Sequence, residues 1–453
     1  MQPIPANELF AGLSLAEPVP IHAVVTDSRN VAPGCVFVCF PGERVDGHAF
    51  AAGAYRDGAA YIVANHPVEG VPAERTVIVP DSALAMVRMA SNYRMLFSPR
   101  IIGVTGSVGK TTTKEFCYAV LSAFGSTLKT EGNQNNDIGV PNTLFRLETA
   151  TEYAVVEMGM DHAGEITRLS RCVRPSAGII TTIGVSHLEN LGTRENILKA
   201  KMEICTGLPD GAPLALNADN DLLPTAQVPA RLRPVWFGIE QDADVRAKDI
   251  VMQGGGTAFT IVDKAYGTFA AHIPTVGQHT VYDALSAYAA ATRLGLDPAA
   301  CADALANYQT TGMRQHIVQK GGVTVIEDCY NASPDSMKAA LSVLQSLPNA
   351  HKIALLGDML ELGDASEQGH RQTGEWAAEA GVDVLIAYGP RSAAMAQAAQ
   401  TKGVTTVHCQ TAQEVLQCLE QFVQPGDALL AKASHAMQLE DLLQAYYAGL
   451  PQA

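Results

Sequence analysis

Residues 101–114, IIGVTGSVGKTTTK, constrain this chain more than any other stretch. An apolar run over 101–104 enters a glycine-bearing turn, Gly106-Ser107-Val108-Gly109, after which Lys110 and Thr111 lead into a helix-like stretch over 112–124. Strand, turn and helix in that order belong to an α/β layer. Glycines let the backbone N–H groups of a turn close around phosphate oxygens, and the helix N-terminus adds a positive dipole. The spacing therefore predicts a phosphate cradle made by Gly106, Ser107, Gly109 and Thr112, with Lys110 reaching the β/γ-phosphates and Thr111 offering its hydroxyl to Mg²⁺. The strict phosphate-loop pattern has a small residue at 104; here Val104 stands there, with glycines at 103 and 106, so the match is to the narrower TGxxGKT. The stretch reads as a nucleoside-triphosphate site.

The chain is 453 residues long, more than a single core organises, so two to four domains are expected. Three segments separate along it: a small α/β unit over 1–97, the phosphate-loop unit over 98–312, and a third over 313–453. Net charge is −15 without a basic run, which argues against nucleic acid as a partner, because phosphate backbones are bound by clustered Lys and Arg. An anionic substrate needs only a few cations placed locally. No apolar run reaches the ~18–20 residues that span a bilayer, and the first ten residues, MQPIPANELF, have neither a basic nor an apolar leader region. Nine cysteines form no CxxC pair and no zinc spacing, a usage that fits a reducing, cytoplasmic setting; Cys35 and Cys39, inside CVFVCF, read as small buried hydrophobes.

In the first segment, strand-like 23–29 and 35–40 precede a helical stretch at 49–59, strands at 60–65 and 76–80, and a helix through Tyr93. Thr26-Asp27-Ser28-Arg29 and the cluster 41–48, ending in Gly47 and His48, follow strands, where α/β folds place ligand loops; plain polar turns are the alternative. In the second segment, 130–141 (TEGNQNNDIGVP) is too polar for a core and is either a surface loop or a grip on a polar substrate. The strand 154–160 carries Glu157 near its end, a carboxylate placed to hold Mg²⁺ beside the phosphate loop. The strand from 177 leads to His187, which is as well read as an ordinary core histidine as a site residue. Lys199 and Lys201 on the helix 196–204 look like a solvated face; short strands over 235–275, with a GGG turn at 254–256, precede an alanine-rich helix at 277–295. The third segment alternates strand stretches (323–337, 352–363, 382–389, 427–434) with helices, and Asp328, Tyr330, Asn331, Asp358 and Glu361 stand at strand ends. That pattern predicts a Rossmann-like, doubly wound parallel sheet.

Taken in chain order, TDSR, FPGERVDGHAF, TGSVGKTTTKE, TEGNQNNDIGVP, EMGM, IGVSHLENLG, AKMEI, GMR, EDCYNASPDSM, GDMLELGD and KASHAMQLE resemble the Mur ligases over nearly the whole chain. YNASPDSM and GDMLELG, with the Asn-rich loop, resemble the branch that adds D-alanyl-D-alanine to a UDP-N-acetylmuramoyl-tripeptide. The DNPR motif of the diamino-acid-adding branch is missing from the sequence. The resemblance implies an ATP-dependent amide ligase of cell-wall synthesis that works as a monomer with two Mg²⁺ ions. By motif match, Ser28, Arg29, Gly47 and His48 would hold the uridine diphosphate, and Asn135 and Asn136 the muramoyl-peptide. Glu157 and His187 would join Thr111 as metal ligands, and Lys201 matches a lysine the family carries as a carbamate, itself a metal ligand. Arg314, Asp328 and Lys432 match positions that reach the nucleotide, while Tyr330, Asn331 and Asp358 fall to the dipeptide side. Three positions depart from the family pattern: HNxxNA reads His279-Thr280-Val281-Tyr282-Asp283-Ala284, which leaves adenine contacts there open; KGSR ends in His435, a titratable cation; and YNANP has Ser333.

Overall fold

Alternation of apolar strands with amphipathic helices builds three α/β units in this computed structural model, which describes all residues except 15, 43, 44, 254 and 451–453. Glu43 and Arg44 of the 41–48 cluster, and Gly254 of the glycine turn, thus lie outside the described residues. The first unit has four parallel strands in chain order, Ala23–Val25, Cys35–Val38, Tyr61–Ala64 and Thr76–Ile78. They are shorter than the sequence pattern suggests, because polar turns begin early. Asp27 caps a 3₁₀ turn over Ser28–Asn30 by accepting the Arg29 N–H, and Asp46 caps Gly47–Phe50 by accepting that of His48.

The central sheet has nine strands, in the order Gly267–Ile273, Gly256–Asp263, Val245–Gln253, Arg233–Gly238, Pro213–Asn217, Ala177–Ile180, Arg100–Thr105, Tyr153–Glu157 and Thr127–Lys129. All neighbours are parallel except the first three strands of that order, which form an antiparallel meander. The phosphate-loop strand therefore lies between the strand that ends at Glu157 and the strand that leads to His187. Its helix, Lys110–Ser122, packs on Gln278–Arg293, where buried Ala284, Ala287 and Ala291 permit close approach.

The third sheet runs His316–Lys320, Val323–Glu327, Ala428–Lys432, Lys352–Gly357, Val384–Tyr388 and Thr405–Cys409, parallel apart from the first, antiparallel edge strand. Both edge strands, 316–320 and 405–409, are absent from the sequence reading. Each mixes polar with apolar residues and is largely exposed instead of forming a buried run. The cysteines are all free and buried, as small hydrophobes. Among the described residues no helix is long and apolar enough to cross a membrane.

Tyr93 joins the first and central units: its buried hydroxyl donates to the Leu147 carbonyl at 2.9 Å and accepts the Gln2 N–H at 2.7 Å. Tyr93→Phe leaves both groups unpaired and is expected to cost about 1–3 kcal/mol. Thermal or urea unfolding would show an earlier first transition, with catalytic turnover at 25 °C unchanged.

Candidate active site

Two glycines let the phosphate loop pack this tightly. Gly106 has φ +150° and a Cβ there would lie 1.9 Å from Thr181 Oγ1; Gly109 has φ +87° and its Cβ would lie 2.4 Å from Asp283 Oδ1. The loop is pinned to the next strand end: the Ser107 N–H donates to the Thr182 carbonyl (2.9 Å), and Ser107 Oγ accepts the Gly184 N–H (2.9 Å). Lys110 Nζ folds back onto the Gly106 and Ser107 carbonyls at 2.9 and 3.3 Å, and burial holds its ammonium below the usual lysine range. Thr111 donates its hydroxyl to Glu157 Oε2 at 2.8 Å, and Asn135 Nδ2 donates to the other oxygen, also at 2.8 Å. Glu157 is fully buried between them.

His187 lies beyond the same strand ends with a left-handed backbone, φ +65°. Its Nδ1 is 3.1 Å from Asp161 and 3.6 Å from Glu361, yet buried without a hydrogen bond. Burial, with Lys201 and Lys110 nearby, pushes its pKa down to about 3, so the ring is neutral with a lone pair to offer. Lys201 is the larger surprise for a reading as a solvated face. It is wholly buried, its Nζ has no hydrogen-bond partner, and desolvation together with Lys110 pulls its pKa well below the ordinary value. A buried neutral amine is a nucleophile, so CO₂ addition there is chemically natural. Among the described residues no three His, Cys, Asp or Glu side chains form a ready-made metal cage. A hard cation at Thr111 and Glu157, and a second at His187, would each take their remaining ligands largely from phosphate oxygens and water.

The third unit closes over these groups, leaving a cavity of about 400 Å³ lined by Lys110, Glu157 and His187 on one wall and Arg314, Asp328, Tyr330, Asn331 and Lys432 on the other. Lys432 Nζ donates to Asp328 Oδ2 (2.7 Å) and the Asn331 carbonyl (2.8 Å). The Arg314 guanidinium sits 3.8 Å from the centre of the Tyr330 ring, against which His435 also stacks. His279 and Gln315 meet at 2.8 Å, and Gln315 donates to the Val276 carbonyl, across the two units. Asn133, Asp161, Gln315 and Glu361 line the cavity without having been singled out as site residues. For Glu361 the signal was present, an acid in GDMLELG at a strand end.

Other expected residues are not brought together with these. Asp358 is buried with its carboxylate committed to the Arg391 and Ser392 N–H groups at 3.2 and 2.7 Å, so it holds a turn and does not line the cavity. Asn136 reaches the cavity wall, but its Oδ1 accepts the Ile138 and Gly139 N–H groups. Ser28, Arg29, Gly47 and His48 lie apart, in the first unit. Arg29 pairs with its neighbour Asp27, and His48 spends both ring nitrogens on Asp46 (2.6 Å) and the Asn65 N–H (3.0 Å). His48 thus has no ring nitrogen to spare, whereas Arg29 is 87% exposed and keeps Nη1 unengaged. Thr280 donates to the Gly277 carbonyl, and Asp283 accepts the Thr113 hydroxyl at 3.0 Å; neither faces the cavity.

Three family models match the chain in sequence: Mur ligase family, catalytic domain, over residues 20–94; Mur ligase middle domain over 104–291; and Mur ligase, glutamate ligase domain, over 313–435. The UDP-N-acetylmuramoyl-tripeptide–D-alanyl-D-alanine ligase of Bacillus subtilis is 38% identical over 429 residues, 94% of this chain and 93% of the relative. That of Escherichia coli K12 is 38% identical over 384 residues, 84% of each. A crystal structure of MurF from Acinetobacter baumannii superposes with a TM-score of 0.91 at 31% identity, covering 99% of both chains. The MurF ligase of Thermotoga maritima in complex with ADP gives 0.84 at 28% identity, covering 94% of this chain and 97% of that one.

Gly109→Ala should abolish binding of nucleoside triphosphate, read by calorimetry, since the new methyl group must displace the loop from Asp283. Asp283 yields a pH prediction. Burial pushes its pKa up to about 8, against about 3.9 in an unfolded chain. Between those values the folded state keeps a proton that the unfolded state has released, so this residue's contribution falls as pH rises through that window. Asp283→Asn is therefore expected to raise the melting temperature by a few degrees at pH 8, with the gain vanishing towards pH 4.

Proposed function

The chain belongs to the Mur ligase family, and from that premise we propose that it joins D-alanyl-D-alanine to UDP-N-acetylmuramoyl-tripeptide at the expense of ATP. The product is the UDP-muramoyl-pentapeptide of the cytoplasmic stage of peptidoglycan synthesis. The observation that carries this reading is the single cavity in which a phosphate loop on one unit faces Arg314, Asp328 and Lys432 on another. In this reading residues 1–97 hold the uridine diphosphate end, 98–312 the ATP phosphates, and 313–453 the dipeptide and the rest of the nucleotide. In this reading the chain acts as a monomer.

The reaction brings two anions together, because the peptide carboxylate attacks the γ-phosphate in line to give an acyl phosphate and ADP. Lys110, freed from its loop carbonyls, and the amides of Gly106 to Thr112 neutralise the charge that develops on the transferring phosphoryl group. Mg²⁺, held at Thr111 and Glu157 with a second ion at His187 and a carbamylated Lys201, would shield the same oxygens. The buried, partnerless Lys201 Nζ and His187 Nδ1 support that ligand set. Arg314 and Lys432 come from the third unit, so the charge balance is complete only when that unit is closed. Closure also keeps water from the acyl phosphate until the dipeptide amine attacks its carbonyl and phosphate leaves. Tyr330 and Asn331 line the third-unit wall, and in this reading they serve the dipeptide.

Phosphate release is expected only with ATP, the UDP-tripeptide and D-Ala-D-Ala all present, with pentapeptide formed in equal amount. Hydrolysis that proceeds equally without either acceptor or UDP-peptide would instead indicate a hydrolytic ATPase. Lys110→Ala should lower turnover by about a hundred- to a thousandfold or more while leaving the melting temperature unchanged. ¹³C-bicarbonate should give a carbamate resonance in the native protein that Lys201→Met lacks.

A further inference from the structure

The cations of the cavity answer the anions of the first step; the second step brings a cation. D-Alanyl-D-alanine arrives as an ammonium, and a carboxylate must face it. Five acidic side chains line the cavity. Glu157 is held by Thr111 and Asn135, Asp328 by Lys432, and Glu165 accepts the Asp161 N–H at 2.7 Å. Asp161 lies 3.1 Å from His187, on the same unit. Glu361 alone among them comes from the third unit without a hydrogen bond of its own, the neutral His187 ring lying 3.6 Å away, and its side chain is 57% exposed.

The loop that carries it is fixed on both sides. Met359 donates its N–H to His370 Nε2 and Leu360 to Ser434 Oγ, each at 2.9 Å, while Asp358 is buried under the 389–392 turn. After it, Leu362 is buried, and Gly363, with φ +52°, packs on Glu189, where a Cβ would lie 3.3 Å away. Between these anchors Glu361 takes φ +66°, a left-handed conformation that a non-glycine residue adopts at a cost. The strain is kept at the one residue whose side chain is left facing the reacting groups.

Resting on the ligase reading above, the geometry points to Glu361 as the residue that binds the ammonium of the incoming dipeptide and so selects a free amine as acceptor. It approaches from the unit opposite the phosphate loop, which puts the amine across from the acyl phosphate. The groups that face it are His187, Asp161, Glu189 and Lys110.

Glu361→Gln keeps shape and backbone while removing the charge. The KM for D-Ala-D-Ala should rise about ten- to a hundredfold, while those for ATP and UDP-tripeptide, and the Mg²⁺ concentration for half-maximal activity, stay within about twofold. N-Acetyl-D-Ala-D-Ala, which has no ammonium, should inhibit wild type far more weakly than D-Ala-D-Ala binds, and Glu361→Gln should remove most of that difference. Glu361→Asp, which keeps the charge, should recover part of the affinity. Hydroxylamine trapping without dipeptide reads the acyl phosphate separately, and Glu361→Gln should form the hydroxamate at the wild-type rate. An unchanged dipeptide KM, or a shift confined to the Mg²⁺ requirement, would overturn the assignment, the latter making Glu361 a metal ligand. If wild type itself gives no hydroxamate, the ligase reading fails instead.

Discussion

The contact between Thr111 and Glu157 sets the geometry of everything around it. Thr111 belongs to the first turn of the phosphate-loop helix and Glu157 to the end of the adjacent parallel strand, and the bond between them is 2.8 Å. It fixes a hydroxyl and a buried carboxylate where a helix N-terminus already concentrates positive potential. That arrangement requires parallel neighbours, because only then do the C-terminal ends of the strands 100–105, 153–157 and 177–180 lie side by side. The apolar runs IIGV, AVV and AGII supply such strands: buried on both faces, they have no polar side of their own, and their polar residues gather at the ends.

A half-site on one sheet is not a reaction chamber. The third unit meets it through polar contacts such as His279 with Gln315 and Gln315 with the Val276 carbonyl, while Thr311, just before the third unit, donates to Glu115. Glu115 lies on the phosphate-loop helix and is also held by Lys114 and Lys129, so the segment joining the two units is tied to the helix that bears Lys110 and Thr111. Asp335, at the start of the helix Pro334–Ser346, packs so near Gly184 that a Cβ there would sit 2.2 Å from its Oδ2. The loop that carries His187 is thereby in touch with both units. Polar contacts of this kind are exchangeable with water, which suits an interface that opens in the proposed reaction.

Much of this was legible in the sequence. The phosphate loop, Glu157 and the strand-end positions of Asp328 and Tyr330 follow from local pattern, because strand, turn and helix are decided by neighbours in the chain. What was illegible depends on distant partners. Lys201 looks solvated on its own helix, and only the tertiary packing buries it. Asp358 and Glu361 stand three residues apart with the same chemistry, and nothing local says that one meets the N–H groups of 391 and 392 while the other faces a cavity. His48 sits in a ligand-type loop, yet Asp46 and Asn65 satisfy it. The edge strand Thr405–Cys409 escaped because half-exposed strands lose the continuous apolar run.

The charge balance argues in the same direction. The chain carries a net −15, yet the substrates proposed for it are a nucleoside triphosphate and a nucleotide-linked peptide acid. A diffuse negative field would repel them, so attraction has to come from a few cations at short range, where a low dielectric strengthens each one. Lys110, Lys201, Arg314 and Lys432 are gathered within or beneath one cavity, and Lys110 and Lys201 are held below their ordinary pKa while no phosphate faces them. Each anion that enters stabilises the protonated form of Lys110, so nucleotide binding and charging of that lysine are thermodynamically linked. Lys201, deeper and without a partner, can resolve its own desolvation in the opposite way, by staying neutral or by becoming an anion through CO₂. The same burial thus supports a cation at the loop and an anion behind it, as a metal bound between phosphate and protein requires.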